Sequence, residues 1–191
     1  MKIAAMITMA ALAGSGAQAG AIEESANQAV TVCMQTGIDL EFQLARALAI
    51  RVFKEIGVRL DWRNDQRTCP PGAISISLAS STPRGAHPGA LAFALPNEGI
   101  HVHIFYDRIR KMFELPRRPF VLGHVLVHEI THILQGFNTH SDRGMMKAAW
   151  DAKDFDHMGW TPLAFTEADV RLIHLGLATR ASRTAAILGA R

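Results

Sequence analysis

Five consecutive residues, His128-Glu129-Ile130-Thr131-His132, carry the chemistry most easily read from this chain. In a helix, two histidines four residues apart project about 40° apart around the axis, from one face. Both imidazoles can then reach a single metal ion. The glutamate between them points into a neighbouring sector, where its carboxylate can hold a metal-bound water. A hydrolytic zinc site needs this set of histidine ligands, an open coordination position and a carboxylate that accepts the water's proton. With this content of His and Glu, a chance H-E-x-x-H is expected in roughly 1–2% of such chains, so the flanking residues decide how much weight it carries.

Those flanks are apolar. Phe120, Val121, Leu122, Val125, Leu126, Val127, Ile130, Ile133 and Leu134 lie on nearly every side of the helix, which predicts a buried one. Pro119 suits its first turn, and Gly136 suits the position just past its end. A charged or ionisable group in such a helix is costly unless it is paired or bound to metal. The competing reading is two core histidines satisfied by ordinary hydrogen bonds.

A catalytic zinc usually takes three protein ligands and a water. Gly136 tolerates positive φ, so the chain can reverse there and bring His140, in Asn138-Thr139-His140-Ser141, back under the helix. His140 is the expected third ligand. Glu167, on a later helix with Asp169 nearby, is the alternative. His124 lies one turn before His128, but its distance along the helix suits a lining residue better than a ligand. His157 reads as a surface residue. His101 and His103 share one strand face near the presumed cleft and read as sheet-surface residues, while His87 and His174 carry no signal.

The run from His128 to Met146 resembles the metzincin zinc peptidases. In these, H-E-x-x-H continues through a glycine to a third histidine, and a methionine turn follows beneath the metal. Here the motif reads H-E-x-x-H-x-x-x-G-x-x-x-H-S-x-x-G-x-M. The glycine and third histidine stand four and eight residues after the second histidine, where the family pattern has three and six, which marks a divergent branch. The resemblance implies that Gly144-Met145-Met146 supplies the methionine turn, with Met146 as its methionine. Ordinary core filling is the competing role for either residue. It also implies that an edge strand, here residues 89–95, binds substrate in extended form by backbone hydrogen bonds.

The elements that must position these residues follow from patterning. The 191 residues suffice for one domain with a real core. Lys2, an apolar run from Ile3 to Ala13 and the A-x-A pattern Ala17-Gln18-Ala19 read as a signal peptide over residues 1–19, cut after Ala19. A membrane anchor is the alternative for that run. Export to a secreted, periplasmic or extracellular setting favours a disulfide between the two cysteines, Cys33 and Cys69. Cleavage removes one lysine, so the net charge of +3 becomes +2, 19 basic against 17 acidic residues. The basic groups Arg108-Ile109-Arg110-Lys111 and Arg117-Arg118 lack the interleaved aromatics that nucleic-acid binding needs and read as solvated surface.

Strands are expected over residues 29–34, 58–62, 73–78, 89–95 and 100–106 from β-rich or alternating stretches. Leu40, Phe42, Leu44, Leu48, Val52 and Ile56 recur at helical steps, with Asp39 as cap and Gly57 as stop. A short helix is expected over residues 108–114, and a last one from the cap Thr166 to about Leu177, followed by a loose tail over residues 178–191. The order predicts an α/β (α+β) fold with a twisted mixed sheet, a backing helix, an active-site helix and a C-terminal helix. With the resemblance, it predicts a single zincin-like catalytic domain over residues 20–191, its upper part about 20–136 and its lower part about 137–191.

The expected function is a secreted zinc metallopeptidase acting on a peptide or protein, with His128, His132 and His140 on Zn²⁺ and Glu129 as general base. A non-catalytic zinc-binding or structural module is the first rival, and an exported binding protein with an accidental motif the second. No nucleic-acid partner and no stable membrane insertion after cleavage are expected.

Overall fold

The computed structural model describes residues 29–34, 39–64 and 69–189. The signal peptide expected over residues 1–19 lies outside the described residues. Five strands form one mixed sheet in the order β2-β1-β3-β5-β4. They are β1 (Ala29–Met34), β2 (Arg59–Arg63), β3 (Ile74–Leu78), β4 (Ala92–Leu95) and β5 (His101–Ile104). β1 pairs in parallel with β2 and β3, and β3 with β5; β4 is an edge strand running antiparallel to β5. The helices are α1 (Leu40–Glu55), α2 (Tyr106–Met112), α3 (Arg118–Gln135), α4 (Ala152–Met158) and α5 (Glu167–Gly189).

Alternation along the strands sets the layers. Val30, Val32, Ile74, Ile76, Ala92, Ala94, Val102 and Ile104 are buried on one face of the sheet. Their neighbours Thr31, Ser75, Ser77, Phe93, His101 and His103 take the other, partly wet face. α1 packs over the buried face with Phe42, Ala45, Leu48, Ala49, Val52 and Phe53. Asp39 caps it by accepting from the Glu41 N–H. α3 lies against α1 at Gly123, where a Cβ would stand 3.1 Å from the Ala45 carbonyl oxygen and from Leu48 Cβ. Every residue of α3 from Val121 to Gln135 is buried, as its all-round apolar pattern requires.

α5 meets α3 more closely still. A Cβ at Gly176 would fall 1.8 Å from the Leu134 carbonyl oxygen, so only a glycine lets the two helices approach this far. A disulfide joins Cys33 in β1 to Cys69, across a sequence separation of 36 residues. It ties the loop after β2 to the middle of the sheet and agrees with the expected pairing. No helix among the described residues is long and apolar enough to cross a membrane.

Several expectations need correction. α4 falls in a stretch without hydrophobic periodicity; it is held by a capping box in which Asp151 and Asp154 each accept from the other's backbone N–H. The expected loose tail is helix through Gly189, so α5 runs 23 residues. β4 begins at Ala92 and not at Gly89, because Gly89 sits at φ 86° in a turn closed by the Ala90 N–H on His87 O. β5 spans only His101–Ile104 of the strand expected over residues 100–106, because the chain turns at the buried Phe105 into α2.

Candidate metal centre

α3 delivers His128 and His132 one turn apart, and the turn after it delivers His140. Gly136 closes the helix at φ 78°, a left-handed conformation that glycine adopts without steric cost. The reversal carries the Phe137 carbonyl back to His132 and brings His140 beside both other rings. The ring centroids stand 4.7 Å apart for His128 and His132, 5.4 Å for His128 and His140, and 4.9 Å for His132 and His140. One nitrogen from each lies within 4.8 Å of the others, so the three could hold a single ion.

The outer nitrogens fix which lone pairs face inward. His128 Nδ1 is 2.9 Å from Met145 O, and His132 Nδ1 is 3.1 Å from Phe137 O. A carbonyl only accepts, so both Nδ1 atoms carry the proton and donate it. Both Nε2 atoms are then bare acceptors, and they stand 3.0 Å apart. Two lone pairs at that distance repel unless a cation or proton lies between them. A proton is disfavoured there: burial pulls His128 down to about 3 and His132 down to about 4. Burial lowers His140 as well. In a tetrahedral zinc site with Zn–N of about 2.0–2.1 Å, two ligand nitrogens stand about 3.3 Å apart. The donor set and its spacing therefore fit a divalent, nitrogen-binding cation.

Glu129 points to a different side. Its carboxyl is buried, and burial raises it to about 8 despite a hydrogen bond from the backbone of Ala94. Ala94 belongs to β4, so this carboxyl sits between α3 and the outer edge of the sheet. Among the described residues the ligand cluster holds three side chains, His128, His132 and His140. Glu129 is not one of them, which leaves it available for proton transfer.

The segment after His140 is a closed turn. The Ser141 N–H donates to Met146 O at 2.8 Å, and the Met145 N–H donates to Ala164 O at 2.9 Å. Gly144 has φ 76°, and a Cβ there would stand 2.3 Å from Ala164 O, so no other residue fits the bend. Met145 and Met146 are both wholly buried. The Met145 carbonyl accepts the hydrogen bond from His128 Nδ1–H, a role that a backbone atom leaves no trace of in sequence. Trp150 is another residue the pattern did not single out. Its ring meets His128 edge-on at 5.3 Å and His124 at 6.2 Å, and so walls one side of the site.

The remaining candidates fall elsewhere. Glu167 is exposed and pairs with Arg171 at 3.6 Å, outside the cluster, so it is not the third donor. His124 is a tie within the fold: its Nδ1 bonds Phe120 O at 2.7 Å and its Nε2 accepts from the Leu163 N–H at 3.0 Å. His157 is exposed. His103 bonds Ser77 Oγ at 2.7 Å and His101 bonds Glu98 at 2.6 Å, both on the outer face of the sheet. His174 bonds Ile56 O. Comparison with protein-family models gives no match, and comparison with curated protein sequences gives none either.

Proposed function

We propose that this protein is a zinc-dependent metallopeptidase of a divergent metzincin-like type, exported from the cell. The observation that carries the reading is the pair of inward-facing Nε2 lone pairs 3.0 Å apart, each fixed by a carbonyl behind it, with His140 beside them. The sheet order, with an antiparallel edge strand next to the motif helix, supports a zincin-like fold for residues 20–191. The buried turn at Met145-Met146 supports the methionine turn, with Met146 as its methionine.

His128, His132 and His140 would hold the ion. Zinc supplies a Lewis acid that acidifies water and polarises a carbonyl. Glu129, kept ionised by the nearby cation, would accept a proton from the attacking water and pass it to the departing amine, and its buried setting raises its proton affinity for that role. β4 offers the backbone groups of its outer edge to an extended peptide, which suits a peptide or protein substrate. A site with three protein ligands keeps one coordination position open, whereas structural zinc sites fill four. This favours catalysis over a purely structural zinc module.

The test is metal analysis and peptide hydrolysis on the purified protein and on Glu129→Gln. One equivalent of zinc in both, with hydrolysis falling by about 10²–10⁴ in the variant, is the expected result. Equal cleavage by the two proteins would remove Glu129 from the reaction, and zinc-free wild type that takes up no zinc would end the reading.

A further inference from the structure

His140 differs from the other two donors in how it is held. His128 and His132 ride on the buried stretch of α3, whereas His140 is exposed and lies on a loop beyond the helix end. Its neighbour Ser141 anchors that loop twice. The Ser141 N–H donates to Met146 O at 2.8 Å, and its hydroxyl donates to Asp169 Oδ1 at 2.6 Å.

Asp169 belongs to the first turn of α5 and is only 3% exposed. Its other oxygen, Oδ2, accepts from the Thr166 N–H at 2.8 Å and the Thr166 hydroxyl at 2.7 Å. The Asp169 N–H returns a bond to Thr166 Oγ at 3.2 Å. One oxygen therefore closes the helix cap, and the other is spent on Ser141. A cap alone needs only the first. α5 is in turn locked onto α3 where Gly176 meets Leu134, close behind His132. The chain of contacts is a ring: α3, α5, Asp169, Ser141, His140, and back to the His128 ring at 5.4 Å.

We propose that Asp169 is the positioning residue for the third metal ligand, acting through Ser141, so that docking of the C-terminal helix completes the site. The proposal rests on the metal reading above. A ligand on a free loop loses conformational entropy when it binds metal, and a loop already tied to α5 has lost it on folding. Supporting partners of this kind are typically worth 10–100-fold in metal affinity.

The experiment is zinc titration against a chromophoric chelator, with cobalt(II) absorption spectra, on the full chain. The variants are Ser141→Ala, Ser141→Thr, Asp169→Ala, the double variant Ser141→Ala with Asp169→Ala, and His140→Ala. Urea denaturation of each metal-free protein is measured alongside. Ser141→Ala leaves the bonds between Thr166 and Asp169 in place, so it separates positioning from capping. The proposal expects Ser141→Ala to weaken zinc by about 10–100-fold, with the urea midpoint lowered less than in Asp169→Ala, which loses the cap as well, and Ser141→Thr to restore zinc binding. The double variant should bind no worse than Asp169→Ala, and the cobalt spectrum of Ser141→Ala should move toward that of His140→Ala. If Ser141→Ala binds zinc as wild type does while His140→Ala is weakened, Asp169 is only a helix cap and the proposal is overturned, with the metal site intact. If His140→Ala also binds as wild type does, the metal reading falls and the proposal with it.

Discussion

Glu129 gives a prediction whose sign and size follow from its burial. Without metal, the folded protein holds its carboxyl at about 8, against 4.5 when unfolded. A raised carboxyl contributes stability that is fully present below 4.5 and is lost as pH rises toward 8. The histidines pull the other way. Burial lowers His128 to about 3 and His132 and His124 to about 4, so their contributions are lost as pH falls below 6.5. Three histidines outweigh one glutamate in the acid range, so stability rises with pH up to about 6.5. Between about pH 6.5 and 8 the unfolded histidines still release their last protons, which adds about 1 kcal/mol, while Glu129, ionised when unfolded and titrating near 8 when folded, removes about 1.6 kcal/mol. Relative to Glu129→Gln, metal-free wild type should therefore lose about 1.6 kcal/mol across that interval, measured by urea denaturation in the presence of a chelator. Glu129→Gln lacks the titrating carboxyl, so its stability should rise there by about 1 kcal/mol as the unfolded histidines lose their protons. Bound zinc should shrink the Glu129 contribution, because a nearby cation favours the ionised carboxylate. Parallel profiles for metal-free wild type and Glu129→Gln would mean that the carboxyl is not held in a dry site, and the reasoning about its proton affinity would fail.

Other perturbations test the frame around the site. Gly176→Ala places a methyl 1.8 Å from the Leu134 carbonyl oxygen; the helices must part, and thermal melting should report a loss of about 1–3 kcal/mol or more. Reduction of the Cys33–Cys69 bond opens a loop of 36 residues, which by chain entropy destabilises the fold by about 4 kcal/mol; a urea midpoint unchanged by reductant would contradict this. His124→Ala strands the Leu163 N–H and leaves a cavity beside Trp150, for a loss of about 2–4 kcal/mol. Zinc content should stay at the wild-type level in that variant, which a ligand role for His124 would not allow.

Much of this was legible in the chain alone. The all-round apolar run from Val121 to Leu134 dictates a buried helix whatever surrounds it, and i,i+4 spacing then places His128 and His132 on one face. Asp39, Pro119 and Gly136 mark helix ends by local chemistry, and alternating residues define the buried strand faces. Two cysteines admit only one intramolecular pairing. α4 was not legible through periodicity, because it buries little; its signal was Asp151 and Asp154 at capping-box spacing. The continuation of α5 was missed because its weakly amphipathic, alanine-rich end resembles a tail.

Tertiary structure decided the rest, for one physical reason: it concerns partners distant in sequence or partners made of backbone. The choice of His140 over Glu167 depends on how far the chain reverses after Gly136, and Glu167 turns outward to Arg171. The carbonyls of Met145 and Phe137 set the tautomers of His128 and His132, and a carbonyl is the same group in every residue. The bond between Ser141 and Asp169 spans 28 residues and joins the loop after α3 to the first turn of α5. Side-chain type and spacing select which atoms can meet a cation; packing alone selects which of them do.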